Sequence, residues 1–139
     1  MKEYRWSDIH VGLKEEFEAV FSAEDAAAFA LLSGDANPLH VDGEYAMSVG
    51  FSGPVLFGMM TSSLYSRLVG VYLPGKFALL QGVKIDFNSP CQAGECLHLK
   101  GEVVYMNEAY RQFEIKAAIR KSDNKIVSKA TIKVGFHAS

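Results

Sequence analysis

The second half of the chain alternates apolar and polar residues so regularly that few structures besides antiparallel strands can satisfy it. Phe77, Leu79, Gln81, Val83, Ile85 and Phe87 form one alternating set, and Leu97, Leu99, Gly101, Val103 and Tyr105 a second. Phe113, Ile115, Ala117 and Ile119 form a third, opposed by Gln112, Glu114, Lys116 and Arg120; Ile126, Ser128, Ala130, Ile132, Val134 and Phe136 form the last. Side chains in a strand point to opposite faces in turn, so such runs predict strands with one face on a core and one in water. Asn88-Ser89-Pro90, Met106-Asn107-Glu108 and Ser122-Asp123-Asn124 supply the turns between them. Ahead of the runs, residues 57–69 repeat at helical spacing through Met59, Ser62, Ser66 and Val69, while Leu56, Met60, Leu64 and Leu68 line other faces. A helix apolar nearly all round is a buried helix. One arrangement satisfies both halves: an α+β domain over residues 1–139 in which a curled antiparallel sheet wraps a central buried helix.

At 139 residues, 49% of them hydrophobic, the chain suits one domain with a real core. Fourteen basic against sixteen acidic side chains leave a net charge of −2, without the basic excess of a nucleic-acid binder. Its two cysteines are too few for a disulfide scaffold. Met1-Lys2-Glu3-Tyr4-Arg5 leads into no apolar stretch, and the apolar run 55–60 is far shorter than a membrane helix requires. The expectation is a cytoplasmic protein with no membrane or nucleic-acid partner.

Residues 14–21 read as a first strand. Ser22, with Asp25 three positions on, caps a helix through Ala26, Ala27, Ala28, Phe29, Leu31 and Leu32 that Gly34 ends. From 35 to 54 the pattern breaks up, apart from a short helical turn at 44–49, and a long irregular stretch in a small domain is usually functional. Within it, Asp35 and His40 flank a turn forced by Asn37-Pro38. A carboxylate and an imidazole within reach of one water make an acid–base pair. The same residues also fit a plain Asx turn with His40 on the surface. At the start of the buried helix, Gly58 offers a free N–H and no side chain, which suits a carbonyl oxygen in an oxyanion hole; it equally permits tight helix–sheet packing.

Cys91 and Cys96 have no histidine at zinc spacing, so no metal is expected. His98 lies among Lys100 and Glu102 on a polar strand face, and His10 and His137 carry no pattern. No phosphate-binding glycine loop, dinucleotide fingerprint or nucleophile elbow is present.

Phe29-x-x-Leu32-Ser33-Gly34-Asp35-x-Asn37-Pro38-Leu39-His40-x-Asp42 resembles the signature of the MaoC-like, (R)-specific enoyl-CoA hydratases, followed by Gly53-Pro54-Val55 and Gly58-Met59-Met60 in the family's order. The resemblance implies a hot-dog fold, a homodimer or dimer-based oligomer, an acyl thioester as substrate and no cofactor. It implies hydration of a trans-2-enoyl thioester to an (R)-3-hydroxyacyl thioester, or the reverse. Asp35 and His40 would activate the water and the Gly58 N–H would bind the thioester carbonyl. Asn37 and Ser66, with Ser63 as an alternative, would support the carboxylate, and Phe57, Met59 and Ser62 would line the substrate pocket. The family usually has His-Gly-Met where this chain has Phe57-Gly58-Met59, which bears on the wall near the substrate. A dehydratase acting on acyl carrier protein, a hot-dog thioesterase and a non-catalytic acyl-thioester sensor are the rival readings; a sensor would be expected to lose Asp35 or His40, and both are present.

Overall fold

The computed structural model describes residues 1–137. After a 3-10 turn at Trp6–Asp8 come β1 (Lys14–Val20), α1 (Ala23–Ser33), α2 (Pro38–Val41), α3 (Gly43–Ser48) and α4 (Gly58–Arg67). A wide π-helical turn, Leu68–Tyr72, extends α4, and β2 (Ala78–Phe87), β3 (Cys96–Asn107), β4 (Gln112–Lys121) and β5 (Ile126–Phe136) complete the chain. The strands form one antiparallel sheet in the order β1-β3-β4-β5-β2, open at both edges. This is the sheet-around-helix arrangement that the alternating runs and the apolar helix predict. The irregular stretch is more ordered than its composition suggests, since it holds α2 and α3.

The core lies between α4 and the inner faces of β3, β4 and β5. Leu64, Tyr65 and Leu68 meet Leu97, Leu99, Phe113, Ile115 and Ile132, all at most 3% exposed. Gly101 leaves room for the helix there: a Cβ at this position would sit 2.7 Å from Leu68 Cδ2. The Tyr65 hydroxyl and Ser128 Oγ, 2.8 Å apart, tie helix to sheet with a buried hydrogen bond. Burial raises the Tyr65 pKa, although the bond to Ser128 opposes the rise, so the phenol stays protonated and able to donate.

Two expectations require correction. α4 is not buried all round: it buries Met60, Thr61, Ser62, Leu64 and Tyr65 but exposes Met59, Ser63, Ser66 and Arg67. Hydrophobic spacing identifies an apolar helix without saying how much of it the chain's own sheet covers. The strand alternation also slips at three bulges, where one strand carries an extra residue; in β5 the extra residue is Val127, between Ile126 opposite Arg120 and Ser128 opposite Ile119, and it is 3% exposed. Between Leu80 and Gly82 the slip turns Leu80, paired with buried Val134, to the inner side in place of Leu79. Between Val103 and Tyr105 it puts Tyr105 opposite Glu114 on the outer face and Met106 opposite buried Phe113.

Candidate active site

Side-chain caps shape the segment that leads to the site. Ser22 Oγ accepts from the Asp25 N–H at 3.0 Å while Asp25 Oδ2 accepts from the Ser22 N–H at 2.8 Å, giving α1 the capping box its sequence predicts. Gly34 ends α1 with φ 75°, a left-handed conformation that glycine adopts without strain. A relay of turns follows. Ser33 Oγ accepts from the Asp35 N–H at 3.1 Å, Asp35 Oδ1 from the Asn37 N–H at 3.1 Å, and Asn37 Oδ1 from the Leu39 N–H at 3.0 Å. Each short polar side chain thus caps the backbone two residues on, which is why Ser, Asp and Asn recur here at every second position. The last of these bonds is the N-cap of α2, with Pro38 at its first position, where a missing N–H costs nothing.

α2 carries His40 inward. The ring is half-buried, and its Nδ1 lies 2.7 Å from the Val55 carbonyl oxygen. A carbonyl only accepts, so Nδ1 carries the hydrogen and the lone pair of the neutral ring is on Nε2. His40 lines two hollows. One, of about 340 Å³, is shared with Gly58, Thr61, Phe87, Asn88 and Cys91. The other, of about 410 Å³, runs past Ala23, Ala26, Ala27, Val41 and Leu56. A larger hollow, about 710 Å³, lies among charged side chains on the outer sheet face and includes none of the motif residues.

Gly58 is the first residue of α4, so its N–H has no intrahelical partner. A Cβ at this position would sit 2.8 Å from Phe87 Cε1. Both sequence readings of Gly58 therefore describe it: the backbone amide is free of a helical bond, and the residue is small because β2 passes close by. Cys91, on the same hollow, is no nucleophile, because burial, helped by the Glu95 carboxylate, pushes its thiol up to about 11.

The structure thus brings His40 and the Gly58 amide onto one hollow. Asp35 lines neither hollow beside His40; its carboxylate is exposed at the end of α1, with Oδ1 engaged by Asn37. The plain Asx turn weighed for Asp35 is present, whereas His40 is held inward and is not a surface residue. Phe57 is 2% exposed and meets the site through its ring face, which lies against His40. Met59 projects to solvent at 66% exposure, and Ser62 is buried with an Oγ that has no hydrogen-bond partner among the described residues. Ser63 and Ser66 lie on the exposed side of α4, Ser63 donating to the Met60 carbonyl at 2.6 Å. Sequence reasoning missed the Val55 carbonyl, Thr61 and Phe87. A backbone acceptor leaves no mark in a sequence, but Phe87, the last apolar member of its run, could have been placed beside Gly58 by the need for a residue without a side chain there.

Among the described residues no group of three or more His, Cys, Asp and Glu side chains is placed to hold a metal ion, and no helix is long and apolar enough to cross a membrane. His98 lies 3.3 Å from Glu16 on the outer sheet face.

The family described as "MaoC like domain" matches residues 8–125. An (R)-specific enoyl-CoA hydratase of Aeromonas caviae is 38% identical over 100 residues, covering 72% of this chain and 75% of the relative. A mitochondrial 3-hydroxyacyl-[acyl-carrier-protein] dehydratase of Arabidopsis thaliana is 32% identical over 110 residues, covering 78% and 65%. Among solved structures, the (R)-hydratase from A. caviae involved in PHA biosynthesis superposes with a TM-score of 0.88 at 31% identity, covering 92% of this chain and 97% of that one. Sheet order, helix placement and this superposition establish the hot-dog fold, and with the matched span they show that the chain belongs to the MaoC-like family.

Proposed function

We propose that this chain is a hydro-lyase that adds water across the double bond of a trans-2-enoyl-CoA to give an (R)-3-hydroxyacyl-CoA, or catalyses the reverse dehydration. The observation that carries the reading is the hollow shared by His40 and Gly58. His40 Nε2 takes a proton from water as its oxygen bonds to C3. The electrons of the double bond move onto the thioester oxygen, which the Gly58 N–H stabilises as charge develops. The His40 imidazolium then returns that proton to C2 as the carbonyl re-forms, so one water is added in full, His40 is neutral again and no cofactor is needed. On the resemblance, Asp35 is assigned as the second group on that water, with Asn37 fixing its turn and Ser66 or Ser63 as its support; within the single chain its carboxylate is exposed at the end of α1, outside the hollow, and both serines lie on the exposed side of α4.

Crotonyl-CoA tests this directly. Loss of enoyl absorbance with the thiol still esterified is the expected result. Free thiol would mean hydrolysis, and binding without turnover would mean a sensor. The likeness to the Arabidopsis carrier-protein dehydratase favours one second reading, a carrier-protein thioester as substrate; turnover of that thioester alone would establish it.

We also propose that the functional unit is a homodimer. β2 is an edge strand whose inner-side residues Leu80, Val83 and Phe87 are 43%, 40% and 54% exposed, and α4 exposes Met59. Open apolar edges of this kind are normally covered, and a second copy here would close the site hollow beside Phe87. Sedimentation at assay concentration should give a dimer, and a fully active monomer would exclude it. A cytoplasmic location is part of the same proposal, and the two free thiols, Cys91 and Cys96, suit a reducing compartment.

A further inference from the structure

A single stretch of chain grips His40 on two sides. Val55 holds the edge of the ring through Nδ1, 2.7 Å from its carbonyl oxygen. Phe57, two residues on, covers one face, with ring centroids 4.3 Å apart and planes inclined by 29°. Phe57 is itself backed by Phe29 of α1, with centroids 4.9 Å apart, and is 2% exposed, so its ring has nowhere to move. The hydrogen bond alone fixes one atom and leaves the imidazole free to swing about the N–H···O axis. A flat, immobile ring against its face removes that freedom. Together they determine both which nitrogen is basic and where it points.

We infer that Phe57 is a positioning residue for His40, fixing the plane of the imidazole that Val55 holds in the Nδ1–H tautomer so that Nε2 is turned to the hollow shared with Gly58. The inference rests on the hydratase reading for its consequence in catalysis, but not for its geometry. The MaoC-like pattern usually has a histidine at this position, another flat ring of similar reach. What the position requires is therefore planarity, with apolarity secondary. A branched aliphatic side chain would keep the site filled and dry while presenting no flat face.

The experiment combines ring nitrogen NMR with kinetics on Phe57→Leu and Phe57→His, each checked for folding by its melting curve. In the parent protein with the ring neutral, the 15N resonances should report a single Nδ1–H tautomer; an Nε2–H or averaged tautomer would overturn the proposal without any variant. Phe57→Leu should keep the Nδ1–H tautomer but broaden or shift the Nε2 resonance as the ring swings, and lower kcat by roughly tenfold to a hundredfold, the scale on which small misplacements act, with KM within about twofold. Phe57→His should restore kcat to within about threefold of the parent. Unchanged kcat and unchanged resonances in Phe57→Leu would overturn the proposal, as would equal losses in both variants. If the parent turns over no enoyl thioester yet its Nε2 resonance is sharp and broadens or shifts in Phe57→Leu, the positioning role stands and the hydratase reading falls.

Discussion

Between Ser33 and Asp42 the chain is held by short-range bonds from side chains to its own backbone, whereas β3, β4 and β5 are held by one another and by α4. Ser33, Asp35 and Asn37 each accept from the N–H two residues on, and Asp42 accepts from Glu44 and Tyr45 at 3.0 and 3.1 Å. Neither α1 nor α2 contributes a buried residue to the core. In β3 and β4, by contrast, Leu97, Leu99, Val103, Phe113, Ile115 and Ile119 are all inaccessible to water. Locally determined structure can present a carboxylate without burying it, and a core can carry stability without touching substrate. The two regions meet at few points, chiefly Phe29 and Val55 through Phe57 and His40. Changes on one side should therefore leave the other largely intact.

The largest expected effect lies on the site side. Asp35→Asn keeps an oxygen for the Asn37 N–H and so preserves the turn while removing the charge; His40→Gln keeps a polar side chain without a titrating ring. Each should lower kcat by roughly 10²–10⁴ with the melting temperature within a few degrees of the parent. On the proposal that both act on one water, the double variant should be scarcely worse than the poorer single one. Near-normal turnover by Asp35→Asn would leave its carboxylate with the turn alone.

Next comes a change on the core side. Ile115, in the middle of β4 and 0% exposed, packs within the sheet–helix core. Ile115→Ala should destabilise by about 2–5 kcal/mol through lost burial and the cavity left behind. The kcat of the molecules that remain folded should be unchanged, with denaturant unfolding and active-site titration as the paired measurements. A proportionate loss of kcat would mean that the core and the site move together, contrary to the separation drawn above.

The same division decides what was legible in the sequence. β4, and β5 from Ser128 to Val134, could be read residue by residue, because Phe113, Ile115, Ala117 and Ile119, and Ala130, Ile132 and Val134, alternate inward, whereas the bulge at Val127 breaks the pattern at the start of β5. β2 and β3 could be read only up to their bulges: an extra residue at Gln81 or Val104 changes the register without changing composition, although Gly82 beside the first is a weak hint. The apolar character of α4 was legible and its half-exposure was not, since spacing cannot distinguish a face covered by the chain's own sheet from one left for another copy. At the site, the motif pointed to His40 and Gly58, which the structure brings onto one hollow, and to Asp35, which it leaves exposed at the end of α1. It could not disclose the Val55 carbonyl, which any residue at that position would present, or that Phe57 stacks on His40, which depends on where α2 is carried by its turns.

The smallest expected effect falls on the boundary between the two regions. α1 buries no residue of its own, so its capping box contributes a larger share of its stability than it would in a core helix. Ser22→Ala removes the acceptor for the Asp25 N–H and, with it, half of the reciprocal pair. The loss should be about 1 kcal/mol, and it should appear locally: amide exchange should quicken along α1 while β3 and β4 keep their protection. The helix carries Phe29, which backs Phe57 and through it the ring of His40. A frayed α1 should therefore loosen the imidazole slightly and reduce kcat by less than about threefold. Faster exchange throughout the sheet would show that α1 belongs to the core after all. Unchanged exchange within α1 would show that its packing, and not its cap, holds it in place.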